Sequence, residues 1–254
     1  MNPVLKMGSS GAAVRRLTSL LVARGFLDVA TDLFDRLVRM AVKDFQSRHV
    51  DERGRPLVVD GIVGPLTWWA LEHEDNEHLL QPPSVGDLAE LPVAGGSTRG
   101  RAALAAALGE MRAGAREEGG NNSGPWVEKY LRDIVPTPAN WCAGFVSWCF
   151  DQHPAGVPFR YSLGARNIRS QFRDKGWLYD VEEQLPEPGD IIVWWRDQPT
   201  SWKGHIGLVH HVSNGILYTV EGNRGGLPAP VNVFDYVLGR IDKLLGFGRV
   251  PEID

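Results

Sequence analysis

The residues that could do chemistry are two cysteines, a histidine and a carboxylate. Cys142 follows Pro136-Thr137-Pro138-Ala139-Asn140-Trp141 and opens a run, WCAGFVSWCF, in which residues 142, 145, 146 and 149 share one helical face. A thiol in the first turn of a helix sits where the macrodipole favours the thiolate, the reactive form. Cys149 lies two turns further along on nearly the same side, without that help, and reads as a small core residue. On a helix the two are about 10 Å apart in rise. A disulfide needs Cα atoms within about 7 Å, so the pair is expected to be unbonded. His205 opens a strand, HIGLVHHV, after the loop Thr200-Ser201-Trp202-Lys203-Gly204. Imidazole is the usual general base near neutral pH. Its orienting partner must accept a hydrogen bond from the far ring nitrogen.

The hairpin signal Ser213-Asn214-Gly215 decides whether such a partner is present. If Val212 faces Ile216, His205 falls opposite Asn223, with Glu221 two residues away on the same sheet face. A tighter Asn214-Gly215 turn puts both on the other face. A Cys142, His205, Glu221, Asn223 constellation therefore predicts the longer turn. The second oxyanion donor beside the Cys142 N–H is open, with Asn140 conceivable. His210 and His211 point to opposite faces, and His211 lies roughly 20 Å along the strand from His205; both read as surface or edge residues. Neither H-x-x-x-H nor C-x-x-C spacing occurs, and no D-x-D-x-D-G loop, so neither a zinc nor a calcium site is expected. Trp194, Trp195 and Trp202 could line a groove, although the first two point to opposite faces of a strand.

These residues need a scaffold. The 254 residues, 43% apolar and 23% charged, fit one or two soluble globular domains. A net charge of −4 shows no basic excess of the kind a nucleic-acid binder carries. No apolar run approaches the roughly 18 residues of a membrane span. The N-terminus lacks the basic and apolar regions of a signal peptide. Nine Trp is the unusual count. Residues 13–25, 37–45 and 67–71 read as three amphipathic or capped helices, with Pro65 near the start of the last. Residues 73–98 carry EHEDNEH, QPPSVGD and VAGGST and read as a linker. Helices follow at 99–116, 141–150 and about 167–175, then strands at 191–195, 205–212 and 216–222. The fold class is α+β: a three-helix N-terminal domain (1–72), a linker (73–98) and a mixed catalytic domain (99–254) with an antiparallel sheet.

Two resemblances are carried by ordered motifs. Gly11, Val14, Leu17, Leu21 and Gly25, then Ala41-Val42-Lys43-Asp44-Phe45-Gln46, then Asp60-Gly61-Ile62-Val63-Gly64-Pro65-Leu66-Thr67-Trp68 resemble the helical peptidoglycan-binding domain. The chain departs from that pattern at Thr18, where the family usually has Gln, and in a charged insert at Asp51–Arg55. Most matched positions read as structural; Trp68 and Trp69 are possible stacking surfaces, one of them core. Trp141-Cys142-Ala143-Gly144-Phe145-Val146, Pro188-Gly189-Asp190-Ile191, Gly204-His205-Ile206-Gly207 and Glu221-Gly222-Asn223 resemble the CHAP domain, a papain-like group of cysteine, histidine-dependent amidohydrolases and peptidases.

The CHAP resemblance implies Cys142 as nucleophile, His205 as base, Glu221 as the residue orienting the histidine, and Asn223 assisting. Asn121 and Asn122, in a loop that borders the cleft in one CHAP branch, join Trp141 and Trp202 as candidate substrate contacts. The expected activity is cell-wall hydrolysis at an amide: the muramoyl–L-alanine bond first, a stem-peptide or cross-bridge bond second. A silent wall-binding protein and a thiol amidase of small metabolites are the rivals. Peptidoglycan is the expected partner of a monomeric enzyme needing no cofactor, metal, nucleic acid or membrane span. With no signal peptide, it is expected to reach the wall through a holin-type pore or a secretion machine.

Overall fold

A computed structural model describes residues 2–53, 57–73, 87–181, 183–213 and 215–252. The chain divides into two compact units. One comprises Met1–Pro83 with Val212–Leu217 and Tyr236–Ile241; the other comprises Ser84–His211, Tyr218–Asp235 and Asp242–Asp254. Among the described residues no helix is long and apolar enough to cross a membrane.

The N-terminal unit is built on α1 (Ala12–Ala23), α2 (Arg36–Arg48) and α3 (Pro65–Glu72). Asp35 caps α2 by accepting the Val38 N–H at 2.9 Å, and Pro65 supplies the first turn of α3. Their apolar stripes meet in a core of Val14, Leu17, Leu21, Phe34, Val38, Val42, Phe45, Val63, Trp68 and Leu71. Of the two expected stacking surfaces, Trp68 is core, with its indole N–H given to the Pro3 carbonyl at 2.8 Å. Trp69 is partly exposed and stacks on His73. Thr18, the departure from the family pattern, is fully buried and tied through its hydroxyl to the Thr31 carbonyl (2.6 Å) and N–H (3.0 Å). Gln46 fastens the Asp60-Gly61-Ile62 turn: its amide donates to the Ile62 carbonyl and its oxygen accepts the Gly61 N–H, both at 2.9 Å.

The second unit is α+β. Helices α4 (Thr98–Arg112), α5 (Pro125–Leu131), α6 (Cys142–Asp151) and α7 (Ala165–Asp174) precede six strands. These are β1 (Leu178–Tyr179), β2 (Ile191–Trp195), β3 (Gly204–Ser213), β4 (Ile216–Glu221), β5 (Asn232–Val237) and β6 (Leu244–Gly248), in the antiparallel order β1-β6-β2-β3-β4-β5. The last strand thus enters the sheet between β1 and β2. Residues 74–86 of the expected linker, and Asn214 in the hairpin turn, lie outside the described residues. Ser97 caps α4, accepting the Gly100 N–H at 3.2 Å.

Period-two alternation sends the two faces of β2 and β3 to different places. Val193 pairs with Ile206 and Ile191 with Leu208; all four are in the core with α4, α6 and α7. Trp194 pairs with His205, and Ile192 with Gly207, on the opposite face. The Pro188-Gly189-Asp190 motif anchors the start of β2. Asp190 is buried and accepts Arg249 Nη2 at 2.7 Å, the Glu187 N–H at 2.8 Å and the Tyr179 hydroxyl. That motif therefore places β2 against the C-terminal segment and touches no chemistry itself.

Candidate active site

Cys142 is the first residue of α6, and its N-cap, Trp141, offers no side-chain cap. The thiol therefore lies beside first-turn N–H groups and the positive end of the helix. It is 6% exposed, close to solvent without being in it. From β3, His205 comes to the thiol as a hydrogen-bond partner. From the end of β4, Glu221 comes to the other side of the ring: Oε2 lies 2.7 Å from His205 Nε2. The Glu221 carboxylate also accepts the Thr219 hydroxyl at 2.6 Å on Oε1 and Arg224 Nη1 at 3.1 Å on Oε2. An acceptor so engaged takes the Nε2 proton, which leaves Nδ1 as the ring nitrogen for Cys142.

The electrostatics follow from this packing. Burial pushes the Cys142 thiol up, but the hydrogen bond and charge of His205, the charge of Arg196 and the Ile206 N–H outweigh it and hold the thiol below its ordinary value. Burial pulls the His205 imidazole down, but its bonds to Cys142 and Glu221 outweigh that and raise it to about 9. Each group thus favours the charged form of the other. Cys149 behaves oppositely: it is fully buried, and burial lifts its thiol well above the ordinary value. Both cysteines are free.

Two glycines in the motifs make room for these side chains. A Cβ on Gly207 would stand 2.6 Å from Glu221 Cγ, so Glu221 crosses the strand over a bare backbone to reach His205. A Cβ on Gly222 would stand 2.3 Å from Trp141 Cζ3. Gly207 shares the face of His205 on β3, and the Glu221 side chain lies over that face. Trp194 adds an indole 5.5 Å, centroid to centroid, from the His205 ring.

Other expected residues lie elsewhere. Trp141, expected as a substrate contact, is fully buried, stacked on Tyr130 at 5.5 Å, and its indole N–H goes to Glu117 Oε1 at 3.2 Å. Its bulk and apolar rings belong to the core at the base of α6. Asn223 has a left-handed backbone (φ 60°), and its amide donates to Asn140 Oδ1 at 3.5 Å. That contact takes it to the loop before Cys142. Asn121 is exposed, whereas the Asn122 amide oxygen is buried without a hydrogen-bond partner among the described residues. Trp202 is 81% exposed on the β2–β3 loop. His210, expected at the surface, is instead buried, with Nδ1 2.6 Å from His211 Nδ1. Burial, with the charge of His211, pulls His210 down to about 4. Adjacent strand residues face opposite ways, and the face taken by His210 is covered.

Sequence reading missed Arg196, Thr219, Arg224 and Glu117. Period two marked Arg196, two residues after Trp194, as sharing the histidine's face; Thr219 stands in the same relation to Glu221. Nothing local marked Glu117 as buried.

A thiol at a helix start, a histidine from a facing strand and a carboxylate behind it are the groups that nucleophile–base–orienter chemistry requires. Residues 135–223 match the family model for the CHAP domain, and residues 10–71 match the one described as "Putative peptidoglycan binding domain". The chain thus carries a CHAP domain with a peptidoglycan-binding domain N-terminal to it. CHAP domains are generally cysteine-dependent hydrolases acting on peptidoglycan, as amidases or endopeptidases. No curated protein and no solved structure matches the chain.

Proposed function

We propose that the protein is a bacteriolytic, endolysin-like enzyme that cuts the amide between the muramoyl lactyl group and L-alanine, with Cys142 as nucleophile, His205 as base and Glu221 as orienter. The observation that carries this reading is the single line of contacts from the Cys142 thiol through the His205 ring to the Glu221 carboxylate. The Cys142 thiolate attacks the amide carbonyl, and the developing oxyanion is met by first-turn N–H groups of α6. The His205 imidazolium gives its proton to the leaving amine, the C–N bond breaks, and a thioester remains. Neutral His205 then takes a proton from water as the water attacks the thioester, and the thiol is released. Glu221 holds the ring in the tautomer that both steps need. Asn223, beside Asn140 on the loop before Cys142, supports the same edge of the cleft. Asn121 and Trp202 are the proposed substrate contacts.

The N-terminal domain keeps the enzyme on its insoluble substrate and so raises the local substrate concentration for the CHAP domain. Mass spectrometry of fragments released from purified sacculi, with Cys142→Ala as control, tests the proposal. New L-alanine amino termini, absent with Cys142→Ala, are expected. New termini within the stem or bridge would overturn the amidase assignment in favour of an endopeptidase, and binding without any fragment would overturn the enzyme reading.

A further inference from the structure

Glu117 is 1% exposed, and three neutral N–H donors converge on its carboxylate. Oε1 accepts the Trp141 indole N–H at 3.2 Å and the Asn122 backbone N–H at 2.9 Å, and Oε2 accepts the Ala229 backbone N–H at 3.2 Å. The Glu117 backbone is itself tied to the 229 segment, giving its N–H to the Ala229 carbonyl at 3.2 Å. These donors come from three separate stretches of chain. Asn122 belongs to the loop before α5, and its carbonyl accepts the Ala139 N–H at 3.1 Å, just ahead of Cys142. Trp141 is the N-cap of α6 and the residue before Cys142. Ala229 lies between the end of β4 and the start of β5.

Burying a carboxylate is unfavourable unless hydrogen bonds replace its hydration. Here those bonds fix three segments relative to one another. The Trp141 ring then carries the constraint across the site. It lies so close to Gly222 that a Cβ there would be 2.3 Å from Cζ3, and Gly222 is the residue after Glu221. One face of this indole thus sets the Glu221 end of β4, while its backbone sets Cys142.

We propose that Glu117 is a positioning residue for catalysis, holding Trp141 so that Cys142 and Glu221 meet His205 from opposite sides. The proposal rests on the Cys142–His205–Glu221 reading above. The indole N–H is the link through which Glu117 acts on the thiol, so the two residues work as one unit. Glu117→Gln replaces one acceptor oxygen with a donor group, which cannot serve both ends of the network. Trp141→Phe keeps an aromatic ring in the core and deletes the link.

The test uses the full chain carrying Cys149→Ala, so that Cys142 is the single thiol. Iodoacetamide alkylation is followed against pH, together with kcat and KM on a soluble muropeptide and the melting temperature. With Glu117→Gln, the alkylation midpoint is expected to move up toward the ordinary thiol value, and kcat to fall on the order of 10–100-fold with little change in KM. Trp141→Phe is expected to shift both in the same direction, and the double variant to be no worse than Glu117→Gln alone. A lowered melting temperature with midpoint and kcat unchanged in the folded protein would overturn the proposal, as would losses that multiply in the double variant. If Glu117→Gln does not fold, Trp141→Phe decides alone: an unmoved midpoint and kcat overturn the link. Cys142→Ala is run beside them. Activity surviving in Cys142→Ala overturns the nucleophile assignment itself, whereas a dead Cys142→Ala beside a normal Glu117→Gln overturns only the positioning role.

Discussion

Glu221 reaches His205 by passing over the bare Cα of Gly207, where a methyl group would stand 2.6 Å from its Cγ. The carboxylate arrives with no exposure to solvent and is held from behind by Thr219 and Arg224. Gly207→Ala is therefore expected to displace Glu221 from the ring. Misplacement of a catalytic group by about 1 Å can lower turnover by on the order of 100-fold. Fragment release from sacculi by Gly207→Ala, against parent protein, measures this; a loss under about twofold would mean that Glu221 adjusts freely.

The two cysteines make a contrasting pair. Cys142→Ala is expected to abolish lysis while leaving wall binding intact. Cys149→Ala, deep in the core, is expected to keep substantial activity and to lose roughly 1 kcal/mol of stability from the small cavity it leaves. Turbidity loss of a cell-wall suspension and co-sedimentation with it separate the two effects. A dead Cys149→Ala beside an active Cys142→Ala would reverse the assignment.

The charge state of the pair gives a pH signature. Cys142 ionises below the ordinary thiol value, so the acid limb of alkylation and of hydrolysis should lie below that value. His205 keeps its proton up to about 9, so hydrolysis should fall again as pH passes about 9 and the acid for the leaving amine is lost. His205→Ala removes the hydrogen bond and the positive charge that favour the thiolate. Its alkylation midpoint should rise above that of the parent; an unmoved midpoint would show that His205 does not set the thiol.

Asp190 offers a test of the scaffold apart from the chemistry. It is buried and accepts Arg249 through both Nε (2.9 Å) and Nη2 (2.7 Å), together with the Tyr179 hydroxyl. Removing one partner of such a buried pair typically lowers stability by about 3–5 kcal/mol. Asp190→Ala should show that loss in urea unfolding, with residual folded protein retaining normal alkylation of Cys142. A stability change under about 1 kcal/mol would mean that Arg249 finds water instead.

The sequence by itself determined the α+β class, the helices that form the N-terminal core and the strands β2 to β4. It did so because apolar periodicity and turn residues are local properties, read within a dozen neighbours. It also offered Cys142, His205 and Glu221 as candidates: counting along a helix start and two strands left two turn registers open, and the CHAP resemblance implied the one that joins them. Tertiary structure decided what counting cannot reach. Trp141 and His210 differ from their expected settings, and nothing in the sequence singles out Glu117, because burial depends on what a distant segment lays over a residue. Leu244–Gly248 enters the sheet between β1 and β2, far from its sequence neighbours, because pairing follows shape and hydrogen bonding across the chain. The same holds at the site. The motif residues name the chemistry, but the contact between Glu221 and His205 rests on one bare Cα at Gly207, and the seat of Cys142 on an indole held by a carboxylate 24 positions earlier in the chain.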